Sequence, residues 1–557
     1  MIFKRKSRTY RGHELAPDEI FLDSSNLSGF DQDQLEGKLE KPISRSTFTG
    51  IGIALVLIFT TLVAQAANLQ MLQGSKFAEQ SERNRLRPEV LFAERGAIVD
   101  RNGTALVFNE AGEDGFVRRR YEAPGFAHLL GYVSYPKRDS SGNFYDTEIK
   151  GLSGVEDAMN AELSGKNGTL LVEEDALGKI QSSGTVSPAE KGKTVTLSID
   201  ARAQRAFARS IQELADRIPF MGGSAILMDV NTGEVHALVS YPEYDPNVLS
   251  SGGPSATIAA YQTDSRQVYL DRAVSGLYTP GSIVKPMEAA GALTDGNVTP
   301  EQGIVSTGSI SIPNPYDPSR PSIFKDWKAH GWVDARRAIA VSSDVYFYAI
   351  GGGFGDIKGL GIERLKYWYD TFGFTSPTGI ELAGEGTGFV PTPAWKEEKY
   401  GEPWRLGDTY NTAIGQYAMQ VTPLAAARAV AAVANGGKLV RPTLVKDAPL
   451  QGKSIPVDQA ALQVAREGMR MGTTEGTSIG LNALSFVKVA GKTGTAQLGV
   501  NNEFYNSWAV GYFPYDNPKY VYVVVMERGP STNSVGGIYV TYNALAELNR
   551  TAPEYFK

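Results

Sequence analysis

Read by its apolar positions, the chain changes texture three times. Residues 12–42 are polar and acidic with few periodic apolar positions, and read as a mostly disordered cytoplasmic tail. The run "FTGIGIALVLIFTTLVAQAA", residues 48–67, carries no charge. It is long enough to cross a bilayer core of ~30 Å at ~1.5 Å per residue. Next, "GSKFAEQSERNRLRPE" has helix-like spacing, and "FAERGAIVDRNGTALVFN" sets Asn102-Gly103 between two short β-type runs, a hairpin signal. Residues 68–195 hold several such turns and no long helical pattern beyond roughly 153–164. They read as an extended β-rich module, with the Gly/Lys/Ser-rich 178–194 as its linker to the next domain.

From about residue 196 the pattern becomes that of a larger domain. "SIDARAQRAFARSIQELADRI" has a capping Asp200 and apolar residues at helical spacing. "SAILMDVNTGEVHALVSYP" alternates on both sides of Asn231-Thr232-Gly233, a second hairpin signal. Toward the other end, "SFVKVAGKTGTAQ", "NSWAVGYFP" and "KYVYVVVMERG" read as three strands, followed by a helix at about 540–550. The region 282–480 between the strand groups is mainly helical. Strands at both ends of a domain with helices between them predict an antiparallel sheet completed by distant segments, hence an α+β fold. The expected organisation is a tail over 1–46, a transmembrane helix over 47–67, a pedestal over 68–195 and a main domain over 196–557.

Charge and composition narrow the chemistry. A net charge of −6 lends no support to nucleic-acid binding, which normally shows a basic excess. With no cysteine, disulfides, thiolate nucleophiles and Cys-based zinc sites are excluded. The four histidines, His13, His128, His236 and His330, are scattered singly and read as surface or core imidazoles. Lys4, Arg5, Lys6, Arg8, Arg11, Lys38, Lys41 and Arg45 precede the apolar run, which predicts a cytoplasmic N-terminus and a main domain outside the cytoplasm. Lys76 and Arg83 beyond the run make that bias modest. Ala64-Gln65-Ala66 has the form of a cleavage site, but the preceding region is far longer than a signal peptide's basic segment, so an uncleaved anchor is expected.

Ser-x-x-Lys occurs at Ser134/Lys137, Ser282/Lys285, Ser322/Lys325 and Ser485/Lys488. Roughly two or three chance copies are expected at average residue usage. Ser and Lys three apart share a face only on a helix. Ser485/Lys488 lies in an alternating run, Ser134/Lys137 in a turn containing Pro136, and Ser322/Lys325 in a proline-rich loop. Ser282 instead comes directly after Pro280-Gly281 and opens "VKPMEAAGAL". Pro286 is tolerated only near a helix start. That places Ser282 at the positive end of the helix dipole with Lys285 one turn along. "KTGTAQ", from Lys492, ends a predicted strand where Gly494 permits close approach of a ligand backbone. "AVSSDVYFY" sets Ser342 and Asp344 at another helix start. Taken singly, Ser342 reads as an N-cap and Lys492 as a solvated strand-end charge.

Taken in order, Ser282-x-x-Lys285, Ser342-x-Asp344 and Lys492-Thr493-Gly494 resemble the active-site triplet of penicillin-binding proteins and serine β-lactamases. "RGAIVDRNG" (95–103), "GLSGVEDAMNAELSGKNG" (151–168), "LDRAVSGLYTPGSIVKP" (270–286), "TAIGQYAMQVTPL" (412–424) and "AGKTGTAQ" (490–497) are similar to class B members. The resemblance covers essentially everything from residue 69 on, without a segment like their glycosyltransferase domain. Asp344, where the division branch usually has Asn, resembles the elongation branch. Between "DRNG" and "HLLGYV" (128–133) the chain is far shorter than the family's usual head region, which puts partner contacts there in doubt.

The resemblance implies a peptidoglycan D,D-transpeptidase with no cofactor. Ser282 would attack the D-alanyl-D-alanine stem peptide, Lys285 take the proton and Ser342 relay it. Asp344 would bind Lys285 or the substrate amide, and Lys492 and Thr493 the terminal carboxylate. Backbone N–H groups of Ser282 and Thr495 would form the oxyanion hole, with Gly494 and Thr495 beside the substrate. Only a neutral amine can accept the proton, so the role asks Lys285 to give up its own proton first. Implied partners are stem peptides, β-lactam antibiotics, a membrane glycosyltransferase of the shape-elongation-division-sporulation family and other elongation-complex proteins, at the inner membrane. Some elongation-type members bind zinc through Asp, His and Cys; here Asp326 and His330 are present but Ser343 replaces the cysteine, so no metal is expected. A division-type enzyme, a D-Ala-D-Ala carboxypeptidase or β-lactamase, a membrane-bound β-lactam sensor and an idle scaffold remain as alternatives. The sensor needs a cytoplasmic effector, for which residues 1–46 are too short and polar. Penicillin turnover and a Ser282→Ala exchange discriminate the others.

Overall fold

A computed structural model describes residues 44–112, 117–122, 124–174, 180–314, 317 and 319–557, so most of the tail lies outside the described residues. The N-terminal unit is the helix Arg45–Ala67, prolonged by the π-helical turn Asn68–Leu72, and then the helix Gly74–Arg85. It begins at Arg45, just before the apolar run, because Ser44 caps it by accepting from Thr47 N at 3.2 Å. Phe48, Leu55, Phe59 and Leu62 all lie open on its surface. A helix apolar all round has no polar face to give to water. The Thr60 and Thr61 hydroxyls donate to the carbonyls of Val56 and Leu57 at 2.7 and 2.8 Å, which leaves those donors satisfied without solvent. By length and composition, Arg45–Leu72 can cross a membrane.

The second unit begins with short strands. Ile98–Val99 and Ala105–Ala111 form the expected hairpin at Asn102-Gly103, Val117–Tyr121 extends it, and Val195–Thr196 adds in parallel. Asp100 organises the turn, accepting from the N–H groups of Asn102 (2.8 Å) and Thr104 (2.7 Å), and its other oxygen accepts from Ala201 N at 3.1 Å. The helical pattern near 153–164 splits into Gly154–Ala158 and Asn160–Leu163. The expected linker 178–194 is in part a strand, Ile180–Ser187, beside Gly168–Glu174. All eight of its residues are exposed, so no apolar alternation marked it.

Glu156 is wholly buried between two arginines. Arg95 Nε lies 2.5 Å from Oε2 and Arg119 Nη2 2.7 Å from Oε1, with at most 1% of either arginine side chain exposed. Removing one partner of a buried ionic cluster leaves uncompensated charge, at a cost of about 3–5 kcal/mol. Glu156→Ala should therefore lower denaturant-derived stability by about that amount. Replacement of all three by apolar residues should cost much less.

The larger part is built on one sheet. Helix α1 (Ala201–Arg217) is capped by Asp200, whose side chain accepts from Arg202 N at 2.9 Å. Strands β1 (Gly222–Asp229) and β2 (Val235–Tyr241) form the second expected hairpin, its turn tied by Asp229 to the N–H groups of Asn231 and Thr232. The chain then leaves the sheet for α2 (Lys285–Thr294), α3 (Ala335–Val341), α4 (Asp344–Gly352), α5 (Pro423–Ala434) and α6 (Gln459–Thr474), with three two-stranded ribbons interspersed. It returns as β3 (Ala490–Leu498), β4 (Phe504–Phe513), β5 (Tyr520–Pro530) and α7 (Gly537–Thr551), which begins three residues before the expected 540. The strand order is β2-β1-β5-β4-β3, antiparallel throughout, which is the predicted α+β architecture.

Alternation across this sheet decides what each face holds. Val239, Ala225, Val524 and Ala509 share a core with α1 and α7. Leu238, Ile226, Val523 and Val510 face the helical core that includes α5, and Lys492 pairs with Val510 in that row. Strand β3 is the sheet's edge, so one side of its backbone is free.

On β2, His236 Nδ1 lies 2.7 Å from the Tyr555 hydroxyl, and Arg101 abuts the ring. Burial first, and the Arg101 charge second, push its pKa down to about 3. The unfolded chain takes up this proton near pH 6.5 and the folded one does not. This contribution to stability is complete above pH 6.5 and is lost as pH falls toward 3. Its slope is about 1.4 kcal/mol per pH unit. Thermal melts between pH 7 and 3.5 should show this loss, flattened in His236→Asn.

Candidate active site

The segment carrying Ser282 is clamped on both sides. Tyr278 and Val421 exchange backbone hydrogen bonds, and Gly281 N donates to Gly415 O at 2.9 Å. Gly281 sits at φ +56°, and a Cβ there would stand 2.9 Å from Thr495 O. A Cβ on Gly494 would meet Pro280 O at 2.7 Å. The two glycines let the serine turn press directly on β3. Gly494 lines the cleft as well as admitting the protein's own chain. Ser282 lies in the 3-10 turn Gly281–Val284, which continues into α2 with Pro286 in its first turn, as Pro286 demanded.

The other Ser-x-x-Lys copies are dispersed. Ser322–Lys325 is a strand rather than a loop, which sends the two side chains to opposite faces. Ser134 ends one short strand and Lys137 begins another. Strand β3 begins at Ala490, so Ser485/Lys488 precedes it, and Lys488 pairs with Asp516 at 2.9 Å.

Ser282, Ser342, Asp344, Thr493, Gly494 and Thr495 line one cleft of ≈ 1010 Å³. Two lysines are buried beside it. Lys285, fully buried, donates to Asp344 Oδ1 at 2.6 Å, to Ser342 O at 2.9 Å and to Ser342 Oγ at 3.4 Å. Lys492, 1% exposed, donates to Ser342 Oγ at 2.7 Å and Thr493 O at 2.9 Å. Ser342 is thus the junction between both amines. It is not the N-cap of α4, a position Ser343 takes, but the C-cap of α3 at φ +60°. A non-glycine residue held there stores strain that the surrounding bonds must hold. Among the described residues no hydrogen bond joins Ser282 Oγ to Lys285.

Burial, and second the charge of Lys285, push the Lys492 amine well below its usual range, while Asp344 pulls it upward. Sequence reasoning took Lys492 for a perturbing cation inside the site or a solvated strand end outside it. It is a buried amine near the start of β3, and itself the perturbed group.

The free edge of β3 faces the serine turn. Thr495 O accepts from Gln416 Nε2 at 3.2 Å, so it points away from β4. In an antiparallel strand a residue's N–H and C=O point to the same side. The Thr495 N–H therefore points toward the Ser282 turn.

Sequence reasoning missed Thr477, whose hydroxyl lies 2.6 Å from that of Thr493, and Gln416, although "TAIGQYAMQVTPL" contained it. It also missed what Asp326 does. Asp326 Oδ2 accepts from Ser343 Oγ (2.9 Å) and Val345 N (3.1 Å), while Oδ1 is 3.4 Å from His330 Nε2. One carboxylate oxygen is committed to the start of α4 and the third donor is a hydroxyl. These residues do not fit an Asp-His-Cys zinc site, and among the described residues no three His, Cys, Asp or Glu converge.

The penicillin binding protein transpeptidase domain matches residues 223–544, over half the chain, and the penicillin-binding protein dimerisation domain matches 113–197. The peptidoglycan D,D-transpeptidase MrdA of Haemophilus influenzae is 33% identical over 458 residues, spanning 75% of this chain and 68% of the relative. The chain belongs to the penicillin-binding proteins, on the MrdA branch. Two solved structures place this penicillin-binding protein among neighbours of the same fold. The penicillin-binding protein PBP2 from Helicobacter pylori, solved in complex with MreC, is 26% identical with a TM-score of 0.69, covering 84% of this chain and 99% of that one. A chain from a peptidoglycan synthase complex that coordinates polymerization and crosslinking is 25% identical with a TM-score of 0.70, covering 91% and 98%.

Proposed function

We propose that this penicillin-binding protein is a membrane-anchored, penicillin-sensitive peptidoglycan D,D-transpeptidase of cell elongation, acting through a Ser282 acyl-enzyme. The observation that carries the reading is the meeting of Ser282, Lys285, Ser342, Lys492 and Thr493 at one cleft from three distant stretches of chain.

A serine hydroxyl needs a neighbouring base to become a nucleophile. Lys285, one turn along, is the base once its proton has moved to Asp344 or through Ser342 to Lys492. Ser282 Oγ attacks the carbonyl of the penultimate D-alanine while Lys285 takes the hydroxyl proton. The peptide C–N bond then breaks, Ser342 passes a proton to the departing amine, and D-alanine leaves. An amine from a neighbouring stem peptide attacks the ester, forms the new amide and returns the proton to Ser282. Thr493 and Lys492, in its protonated form, receive the terminal carboxylate. The N–H groups of Ser282 and Thr495 stabilise the oxyanion, at about 3 kcal/mol per donor.

Residues 1–46 are assigned to the cytoplasm, 47–67 to the membrane, 68–195 to the pedestal and 196–557 to the transpeptidase domain outside. The basic residues before the apolar helix support that orientation. The likeness to a chain from a complex that joins polymerization to crosslinking supports a membrane glycosyltransferase as partner, and the MreC-bound neighbour supports further elongation proteins. The test is incubation with fluorescent penicillin and peptide mapping of the adduct, beside a cross-linking assay with stem peptides. An adduct elsewhere than Ser282 overturns the mechanism. Rapid release of hydrolysed penicillin makes the protein a lactamase.

A further inference from the structure

Tyr417, the residue after the cleft-lining Gln416, joins three other aromatic rings in one cluster. Tyr400 and Tyr417 are 54% and 37% exposed, and Trp395 and Trp404 are half-buried between them. Tyr400 and Tyr417 meet Trp395 edge-on, at centroid distances of 5.5 and 5.9 Å and interplanar angles of 87° and 89°. Trp404 meets Tyr417 at 6.1 Å and 78°. The rings stand as walls around Trp395, and the Lys399 ammonium lies 5.1 Å from the Trp395 centroid and 5.5 Å from that of Tyr400.

The scaffold beneath is rigid. The buried Lys396 donates to Asp408 Oδ2 at 2.7 Å, which ties the helices Pro393–Tyr400 and Leu406–Ala413 together, and Trp404 Nε1 donates to Thr409 Oγ1 at 2.8 Å, which fixes the loop between them. Tyr417 is held at φ +65°. For a bulky residue that backbone conformation costs free energy, and glycine would adopt it freely. The strain keeps a large aromatic ring at the surface one residue from Gln416, which itself bonds the KTGT strand.

We propose that Trp395, Tyr400, Trp404 and Tyr417 form a carbohydrate subsite that takes the amino-sugar strand to which the stem peptide is attached. The inference rests on the transpeptidase reading. A pyranose ring has an apolar face of axial C–H groups and a polar rim, which suits an aromatic face bordered by phenolic hydroxyls. Here Tyr400 and Tyr417 bring partly exposed phenol rings to the surface and Lys399 brings a cation. A substrate gripped by its sugars as well as its peptide is oriented before reaction, which lowers the cost of alignment in the cleft.

The experiment uses the full-length protein in detergent micelles. Peptidoglycan glycan strands freed of stem peptides by an amidase are the probe, with binding read from tryptophan fluorescence and thermophoresis. Saturable binding is expected for the wild type, with at least fivefold loss in Tyr400→Ala and in Tyr417→Gly. Tyr417→Gly should lose binding with little change in melting temperature, because relief of the strained backbone offsets the lost ring contacts with Trp395 and Trp404. A merely structural tyrosine would lower the melting temperature and leave sugar binding alone. Absence of saturable binding by the wild type, or retention within fivefold by both variants, overturns the proposal. Wild-type acylation by benzylpenicillin is measured in parallel. If Ser282 is not acylated the transpeptidase reading fails, whereas acylation without glycan binding defeats this inference alone.

Discussion

Exchange of Ser282 for Ala should abolish the covalent penicillin adduct and lower stem-peptide cross-linking by about 10³–10⁶-fold, without disturbing the fold. The size of the loss comes from the shared role of the nucleophile and its base, where removing one member stops the acyl route outright and leaves only binding and oxyanion stabilisation. The intact fold is a consequence of the local geometry. No hydrogen bond links the hydroxyl to Lys285, and the turn is positioned by backbone bonds at Tyr278 and Gly281 and by close packing on β3. Stability should therefore stay within about 0.5 kcal/mol of wild type, the range for substitutions that break no named feature. Intact-mass analysis after penicillin treatment and a denaturant melt read both quantities. A variant that still acquires one penicillin would place the nucleophile elsewhere.

Lys285→Met should give a different signature, a loss of about 10²–10⁴ in acylation rate together with a loss of stability smaller than that of Glu156→Ala. The methionine keeps the length of the stem and removes the amine. Chemistry suffers because no neutral amine remains one turn from Ser282. Stability suffers as well, since the Asp344 carboxylate and the Ser342 carbonyl lose their donor. Asp344, 19% exposed at its side chain, can turn to water when Lys285 is gone. Lys492→Met, by contrast, keeps the Lys285–Asp344 bond and removes the donor to Ser342 and Thr493 O. It should weaken the initial binding of every carboxylate-bearing ligand, stem peptide and penicillin alike, more than it lowers the acylation rate at saturation. Stopped-flow acylation across a range of penicillin concentrations separates the two variants, because it resolves the binding constant from the acylation rate.

Some of this was readable from local rules because local physics decides it. Pro286 tolerates only a helix start, so the Ser282 turn could be placed before its surroundings were known. Asp200 and the turns at Asn102-Gly103 and Asn231-Thr232-Gly233 are short-range hydrogen-bond devices that need no tertiary partner. Apolar length alone marks the helix at Arg45–Ala67. Where reading failed, the missing term was non-local. Ile180–Ser187 shows no alternation because neither face is buried. Ser342 and Ser343 are neighbours with the same side chain, and only the arrival of Asp326 on Ser343 and of two lysines on Ser342 tells cap from junction.

The sequence by itself determined the kinds of chemistry available, a serine, two lysines and no thiol, the membrane-length helix, and the α+β order of elements. Their periodicities and breakers act over a few residues and leave a mark in the string. Tertiary structure alone decided that Lys492 is a buried, perturbed amine, that Gly494 lets the Pro280 carbonyl come close, and that Trp395, Tyr400, Trp404 and Tyr417 gather into one cluster. Burial and close approach depend on which distant segment lies opposite, and a residue's own neighbours in the chain carry no record of that.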